Sequence, residues 1–335
     1  MKFGFIVDSG GMGGAERQAM ILADQLLKGK HEVIFFFLNQ SNETLFGSQL
    51  SEKGIPYYDL GFSFSSSHIG RIINILKLML KLRKFKIEIL MPYTIRPNVN
   101  VNFFWQLTGA KCCIWNQRDE GRGFSKQKYR DKILWIALKN TSGFISNSQD
   151  GFQFLKSYIP ETKPMITVNN GILVNRPESS REQVLKSADI SPNAFIAIMV
   201  ANLTQYKDHF TLVKAWKQFI VSIPDEKLPI LFLAGKPAET ADKIKLQISS
   251  FGLEEHVRLL GTVEDINSLI HASDLCLFSS LHEGVPNGIL ESMAASKAVI
   301  ASDIPGIREA LGSDYPHLFK PEDHLSMANH ISELF

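Results

Sequence analysis

The residues that decide the fold are 281–294, which read LHEGVPNGILESMA. An apolar run at 274–279 precedes them and predicts a buried parallel strand. Gly284 and Pro286 then break regular structure, Asn287 is a typical helix N-cap, and apolar residues recur at helical spacing after it. In a parallel α/β sheet, ligands bind where such strands end, and a helix N-terminus attracts phosphate. The stretch therefore predicts a binding site for a phosphate-bearing ligand.

Two carboxylates lie at the start of this predicted helix. Glu283 is on the loop, and Glu291 is about one turn into the helix. Each carboxylate can accept a pair of hydrogen bonds from sugar hydroxyls, and the charge strengthens those bonds. For either residue taken singly, a solvated surface glutamate is the alternative interpretation.

The whole pattern resembles the E-G-x-P-N-x-x-L-E-x-M-A motif of the retaining GT-B glycosyltransferases of family 4 (glycosyl transferases group 1), which include enzymes of bacterial polysaccharide assembly. The matching positions are Glu283, Gly284, Pro286, Asn287, Leu290, Glu291, Met293 and Ala294. The resemblance implies an α/β chain of GT-B fold, with two Rossmann-like doubly wound parallel-sheet domains facing a central cleft. It also implies that Glu283 holds the donor sugar and is catalytic, that Glu291 holds ribose hydroxyls, and that the remaining donor contacts come from Gly284, Val285, Pro286 and Asn287.

Length and composition are those of a soluble two-domain protein. The chain has 335 residues, of which 44% are hydrophobic and 21% charged. Its three cysteines have neither metal-ligand spacing nor a disulfide framework, which predicts a cytoplasmic location. No signal peptide or transmembrane segment is predicted: the apolar run at 1–7 is too short, and the one at 69–82 is interrupted by charges.

The net charge of +2 hides an asymmetry between the two halves of the chain. Residues 1–172 hold 22 basic and 13 acidic side chains, whereas residues 173–335 hold 14 and 21. A basic first half favours an anionic partner such as a membrane surface or a lipid phosphate. Nucleic acid is not predicted, because aromatic residues are not interleaved with these charges in a recognisable binding pattern.

The amino terminus predicts a strand at 2–8, a glycine-rich loop at 10–14 and a helix at 15–27. The spacing of the glycines is not the G-x-G-x-x-G of a dinucleotide site. Residues 13–17 instead resemble the G-G-x-E-R opening of family 4. The resemblance implies that backbone amides of Gly13 and Gly14 approach the donor phosphates and that Arg17 contacts the acceptor. An ordinary tight turn between strand and helix is the alternative.

Strands and helices alternate through the rest of the first half, which is typical of a doubly wound parallel sheet. Segments 145–148 and 168–172 resemble the I-x-N-S and V-x-N-G-I text that closes the family's first domain, with Gly171 as a natural hinge. The predicted organisation is an acceptor-side domain at 1–172, a linker with a short helix at 173–192, and a nucleotide-sugar domain at 193–335. The predicted strands lie at 55–59, 86–92, 110–115 and 142–147, and the predicted helices at 69–84, 97–107, 127–140 and 148–158.

The loop at 115–120 departs from the family pattern, because many relatives carry a histidine there that contacts the transferred sugar. In this chain we predict that Arg118 meets an acceptor or donor phosphate and is catalytic, and that Asn116 binds a sugar hydroxyl on the acceptor side. A loop ion pair of Arg118 with Asp119 or Glu120 is an equally good interpretation.

A strand at 195–200 opens the second half, and the loop after it resembles the family's G-R-L-x-x-x-K-G segment. Lys207 matches the lysine that grips the donor diphosphate, where its charge stabilises the leaving group. Asn202 replaces the family's arginine, which leaves open whether Arg17 or Arg118 compensates. Gly235 falls at a turn that lies near the nucleotide in the family. Residues 299–309 resemble the family's final strand, turn and helix.

Two groups of basic residues suggest contact with an anionic membrane leaflet. The first, Arg71, Lys77, Lys81 and Lys84, lies on the predicted helix 69–84, for which a core-packed helix with a solvated basic edge is slightly favoured. The second comprises Lys126, Lys128, Arg130 and Lys132.

The function that the resemblance implies is metal-independent, retaining transfer of a sugar from a nucleotide-diphosphate sugar, with UDP favoured as the nucleotide. The nucleotide sugar is a co-substrate, and no cofactor or metal is predicted. The predicted acceptor is a saccharide or a polyprenyl-diphosphate-linked saccharide of cell-surface polysaccharide or lipopolysaccharide synthesis, met at the inner membrane face. Relatives continue into a helix that crosses back to the first domain, and we expect this chain to lack it.

Two alternatives stay open. One is another GT-B enzyme, an epimerase or a phosphorylase. The other is a catalytically silent nucleotide-binding protein.

Overall fold

The computed structural model describes residues 1–11, 13–39, 44–63, 67–118, 128–159, 162–174, 176–224 and 228–335. The chain divides into two compact units, Met1–Gly171 and Ile172–Phe335. Among the described residues, no helix is both long and apolar enough to cross a membrane.

The N-terminal unit is built on a seven-stranded sheet in the order β3-β2-β1-β4-β5-β6-β7, with every neighbouring pair parallel. Two of its interior strands, with the sequences KFGFIV and EVIFFF, are apolar on both faces because helices cover both sides. The strands are β1 Lys2–Val7, β2 Glu32–Phe37, β3 Tyr57–Asp59, β4 Ile89–Pro92, β5 Cys112–Gln117, β6 Gly143–Ser146 and β7 Met165–Thr167. The helices are α1 Gly14–Lys28, α2 Leu45–Glu52, α3 His68–Arg83, α4 Ile95–Asn102, α5 Lys128–Asn140 and α6 Gln149–Lys156.

The C-terminal unit has a six-stranded parallel sheet in the order β10-β9-β8-β11-β12-β13. One face is covered by Trp216 and Phe219 of helix α8 together with Met327 and Ile331 of α13, all of them fully buried. The strands are β8 Ile196–Val200, β9 Ile230–Ala234, β10 Val257–Gly261, β11 Leu275–Phe278, β12 Ala298–Ser302 and β13 Leu318–Phe319. The helices are α7 Arg181–Ser187, α8 His209–Ser222, α9 Ala241–Ser250, α10 Ile266–Ala272, α11 Asn287–Ala294, α12 Pro305–Leu311 and α13 His324–Leu334.

The predicted fold class, two doubly wound parallel-sheet domains, is confirmed. Several boundaries differ from those predicted. Pro286, not Asn287, is the N-cap of α11, so that Asn287 is its first helical residue. The predicted helix 97–107 is α4 followed by a separate 3-10 turn, Trp105–Thr108. Residues 299–309 are not the final strand and helix, because β13 and α13 follow.

Helix α7 lies within the residues predicted to be a linker, and it packs on the C-terminal unit. Leu185 is buried among that unit's core residues. Arg181 forms an ion pair with Asp274 at 2.9 Å and donates to the carbonyl of Ala194 at 2.7 Å. These contacts anchor the segment to the C-terminal unit.

Candidate functional site

The order of the strands in the C-terminal unit reverses between β8 and β11. From β8 the chain proceeds outward to β9 and β10, whereas β11 is followed by β12 and β13 on the other side. The loops that follow β8 and β11 therefore leave the sheet in opposite directions, and such a switch point opens a crevice at the carboxyl ends of the strands. Lys207 follows β8 and Glu283 follows β11, so two predicted site residues lie at this point.

Lys207 and Glu283 form an ion pair between the Nζ atom and Oε1. The exposed fractions of the two side chains are 17% and 11%. The hydroxyl of Ser280 donates a second hydrogen bond to the same Oε1 at 2.9 Å. Because the pair is only partly exposed, its charges are screened less than those of a surface salt bridge. A cation and a carboxylate are thus held side by side at the crevice.

The backbone around Lys207 is fastened to the loop after β11. The hydroxyl of Ser279 donates to the carbonyls of Lys207 and Asp208, at 3.0 and 2.9 Å. The amide of Leu281 donates to the carbonyl of Tyr206 at 2.8 Å. Asp208 has a left-handed backbone with φ of 47°, and its side chain caps α8 by accepting from the amide of Thr211. The position of Lys207 is therefore fixed by both loops.

Helix α11 starts in close contact with the strands of the switch point. A Cβ atom at Gly288 would lie 2.8 Å from the ring of Phe278 and 3.3 Å from the carbonyl of Val200. Only glycine allows that approach. Gly284, Val285 and Pro286 are buried in the preceding loop, whereas Asn287 and Glu291 are partly exposed. The N-terminus of α11 and the carboxylate of Glu291 are thus placed next to the Lys207–Glu283 pair along the same chain segment.

Asn202 and Gly235, both predicted to bind the donor, join the loops that follow β8 and β9. The side-chain oxygen of Asn202 accepts a hydrogen bond from the amide of Lys236 at 3.0 Å. A Cβ atom at Gly235 would lie 2.0 Å from the carbonyl oxygen of Ala201. Both residues therefore have a structural role, and donor contact by either one stays a prediction.

His209 begins α8 and is 1% exposed. Burial, together with the positive charge of Lys207, lowers its pKa from 6.5 to about 4. The imidazole is therefore neutral at pH 7, which leaves Lys207 as the positive charge at this helix start.

The glycine loop of the N-terminal unit is arranged differently from the expectation. Gly13 is the N-cap of α1, and its amide donates to the carboxylate of Glu16 at 3.1 Å. Burial raises the pKa of Glu16, and the nearby charge of Asp8 adds to the effect. One of the two amides expected to face the donor phosphates thus already donates its hydrogen bond to a carboxylate of the protein. Phosphate contact by Gly13 and Gly14, and acceptor contact by Arg17 in the first turn of α1, stay predictions.

Arg118 follows β5 and contacts three side chains of the N-terminal unit. Its guanidinium donates to the side-chain oxygens of Asn116 at 3.2 Å and Asn170 at 3.5 Å, and its Cζ atom lies 4.6 Å from the centre of the Tyr93 ring. These contacts hold the planar group in one orientation, as stacking and forked hydrogen bonds do for arginine. Asp119 and Glu120, the alternative partners, lie outside the described residues.

Asn116 is completely buried. Its amide nitrogen donates to the carbonyls of Pro92 and Ile114, and its side-chain oxygen accepts from Arg118. This geometry favours a role for Asn116 in holding Arg118 in position, and not the predicted contact of Asn116 with a sugar hydroxyl. Lys126 and the side chains of Lys128, Arg130 and Lys132, the second predicted basic group, also lie outside what the structure describes.

Sequence reasoning missed the residues that hold this site in place. Ser279, Ser280, Glu16 and His209 have no role in the prediction. Ser279 and His209 take their contacts and burial from the folded chain, whereas Glu16 lies three residues after Gly13 in a capping box that the sequence could have indicated. The polarity of the two serines directly after an apolar strand is a second such signal.

Comparison with known proteins connects this geometry to a family. Residues 194–335 match the family model described as "Glycosyl transferases group 1". The chain is 25% identical over 258 residues to "Uncharacterized glycosyltransferase MJ1059" of Methanocaldococcus jannaschii, a match that covers 72% of this chain and 62% of the relative. It is 24% identical over 238 residues to "UDP-Gal:alpha-D-GlcNAc-diphosphoundecaprenol alpha-1,3-galactosyltransferase" of Escherichia coli, covering 67% and 60%. The matches thus span less than two thirds of the length of these curated relatives.

Among solved structures, the fold is similar to that of Anabaena HepE in complex with UDP-glucose. The TM-score is 0.83 at 21% sequence identity, and the match covers 99% of this chain and 89% of HepE. The predicted GT-B fold is therefore confirmed. The resemblance first read from residues 281–294 is also confirmed, because residues 194–335 match the model of the glycosyl transferases group 1 family.

Proposed function

We propose that the chain is a retaining glycosyltransferase that moves a sugar from a nucleotide-diphosphate sugar, with UDP favoured as the nucleotide. The observation that carries the proposal is the Lys207–Glu283 ion pair at the switch point between β8 and β11. A nucleotide-diphosphate sugar has a negative diphosphate next to a sugar rich in hydroxyl groups. The ion pair offers one group to each part: the ammonium to the diphosphate and the carboxylate to the hydroxyls.

In this proposal Lys207 stabilises the charge that develops on the leaving diphosphate, while Glu283 holds the donor sugar and Glu291 the ribose. The bond between the anomeric carbon and the diphosphate oxygen breaks, and the acceptor oxygen bonds to that carbon on the same face. The proton of the acceptor hydroxyl passes to the departing diphosphate. Because Lys207 supplies the positive charge, no metal ion is assigned to the step.

The proposed acceptor is a saccharide linked to a polyprenyl diphosphate. The name of the E. coli relative contains both a UDP-sugar and a diphosphoundecaprenol acceptor, which supports this choice. On the acceptor side we propose Arg118, whose oriented guanidinium suits a phosphate oxygen. A cell-surface polysaccharide is the proposed product class.

Helix α3 supports a peripheral location at the inner face of the membrane. Its inner face is fully packed, and its outer face carries a stripe of exposed apolar side chains at helical spacing. The exposed side chains are Ile69, Ile72, Ile73, Leu76 and Leu80, and the buried ones are Ile75, Leu78, Met79 and Leu82. Lys77 and Lys84 are exposed beside the stripe, whereas Lys81 is also bonded to the carbonyl of Leu60. An apolar stripe flanked by lysines matches the chemistry of an anionic lipid surface.

The deciding experiment combines nucleotide binding with transfer. The melting temperature of the wild type is measured with UDP, GDP, ADP and CMP, because a ligand of the folded state raises it by mass action. We expect UDP to raise it, Glu291→Ala to abolish the rise, and Glu255→Ala, at an exposed carboxylate outside the site, to keep it.

The bound UDP-sugar is then offered to a polyprenyl-diphosphate saccharide, and the anomeric configuration of the product is read by NMR. Product with the donor's configuration supports the proposal. UDP binding without transfer would identify a silent nucleotide-binding protein. No shift with any nucleotide would overturn the donor site itself.

A further inference from the structure

A cluster of three side chains at the β13 edge of the C-terminal sheet has no part in the proposed transfer. His317 lies just before β13, and His330 and Glu333 lie on α13. One possible ligand atom from each residue lies within 4.8 Å of the corresponding atoms of the other two. We propose that these residues bind a divalent transition-metal ion, with Zn²⁺ as the favoured species.

The two elements that carry the cluster are each fixed in place. The backbone carbonyl of His317 accepts a hydrogen bond from the amide of Ala301 in β12 at 3.1 Å. Helix α13 is anchored through Met327 and Ile331, both fully buried. Because rigid elements present the side chains, a metal ion needs only small side-chain rotations to draw its ligands together. A tetrahedral Zn²⁺ with bonds of about 2.1 Å places its ligand atoms about 3.4 Å apart.

The chemistry of the three side chains fits Zn²⁺. Two imidazoles and one carboxylate form a donor set that binds Zn²⁺ with a fourth position left for water. His330 already faces Glu333, with Nδ1 and Oε2 3.2 Å apart, and its side chain is 19% exposed. The metal would therefore be reached from solvent at a half-buried position.

An ordinary surface pair of His330 with Glu333, three residues apart on one helix, is the simpler interpretation. It does not account for His317, which comes from a different element and whose ring lies 5.4 Å from that of His330. The Nδ1 atom of His317 is buried and has no hydrogen-bond partner among the described residues. Buried polar atoms are normally paired, and a bound metal ion is a group that would pair this one.

The position of the cluster makes it separate from the donor site. Helix α13 starts beyond the carboxyl end of β13 and runs back along the sheet for eleven residues. His330 lies six residues along it, about 9 Å from its start at a rise of 1.5 Å per residue. A metal ion there would tie the last helix to the edge of the sheet and would not touch the reacting sugar.

The test uses the full chain without a polyhistidine tag, freed of metal with a chelator and titrated with ZnCl₂ by calorimetry. We expect one Zn²⁺ per chain with a dissociation constant in the micromolar range or below, and a higher melting temperature on binding. Mutation of residues that hydrogen-bond to a metal's ligands typically weakens metal binding by 10- to 100-fold. His317→Ala and His330→Ala each remove a ligand itself, so each should weaken Zn²⁺ binding by more than that. His324→Ala, on the same helix but outside the cluster, should bind like the wild type.

Co²⁺ provides a second readout, because the intensity of its visible absorption reports how many ligands surround it. Glu333→Gln, at an exposed position, tests the carboxylate without affecting the core, and it should weaken binding and change the Co²⁺ spectrum. Binding in the two histidine variants equal to the wild type would mean an adventitious ion only and would overturn the proposal. So would the absence of saturable one-to-one binding in the wild type.

Discussion

Lys207 and Glu283 are 76 residues apart in the chain, yet the ammonium of one contacts the carboxylate of the other. Each charged group is therefore already compensated before any ligand binds. A donor diphosphate that contacts Lys207 would have to share the ammonium with Glu283, and the hydroxyls of the sugar would then compensate the carboxylate. The pair can in this way keep two charges stable in a half-buried position until the donor replaces each partner.

The first prediction concerns Lys207. Lys207→Ala should weaken UDP binding by about 10- to 100-fold, the value of a hydrogen bond to a charged group, and should change uridine binding little. Calorimetry with UDP and uridine measures both affinities. Lys214→Ala, which removes an exposed positive charge from the following helix α8, is the control. If Lys207→Ala lowers stability but leaves UDP affinity unchanged, the ion pair is only structural.

The second prediction follows from the lowered pKa of His209. Between pH 6.5 and about 4 the unfolded chain binds a proton at this residue and the folded chain does not. The contribution of neutral His209 to the free energy of unfolding is therefore complete above pH 6.5. It is lost as the pH falls through that window, and the loss amounts to up to about 3 kcal/mol. His209→Gln should make urea unfolding less sensitive to pH between 7 and 5. An equal loss of stability in the variant and the wild type would contradict this account.

The third prediction separates the acceptor side from the donor side. Arg118→Lys keeps the charge but cannot reproduce the planar contacts with Asn116, Asn170 and Tyr93. We expect the transfer rate to fall about tenfold or more while the affinity for UDP stays constant. Arg96→Lys, at a side chain that is 54% exposed and paired with Asp8, is the matched control. A parallel loss of UDP affinity would move Arg118 to the donor side.

The fourth prediction concerns the apolar stripe on α3. The double variant Leu76→Asp/Leu80→Asp should reduce binding to anionic phosphatidylglycerol vesicles by about tenfold or more, because each leucine loses its apolar contact with the lipid. Sedimentation with vesicles at low and high salt measures binding, which should weaken with salt. Leu246→Asp, at a side chain 71% exposed on α9, should bind like the wild type. No binding by the wild type at low salt would exclude the membrane proposal.

Local spacing in the sequence was enough to predict the two parallel sheets and the donor segment. Apolar strands alternating with helices predict the sheets, and the glycines, prolines and glutamates of residues 281–294 predict a strand, loop and helix with two carboxylates. These features depend on neighbouring residues, so they can be read without knowing what packs against them. The sequence predicts Asn287 as the N-cap of α11, one residue later than the observed Pro286. Both residues suit a helix start, and packing decides between them.

What only the tertiary structure decided are the contacts between distant loops. It paired Lys207 with Glu283, buried Asn116 inside the core, and brought Arg118 to Asn170. It also brought His317 to the helix that carries His330 and Glu333. The sequence by itself determined the residue types and their order, which fix the local elements. Which polar groups meet depends on the order of the strands in the sheet, and that order is set by long-range packing.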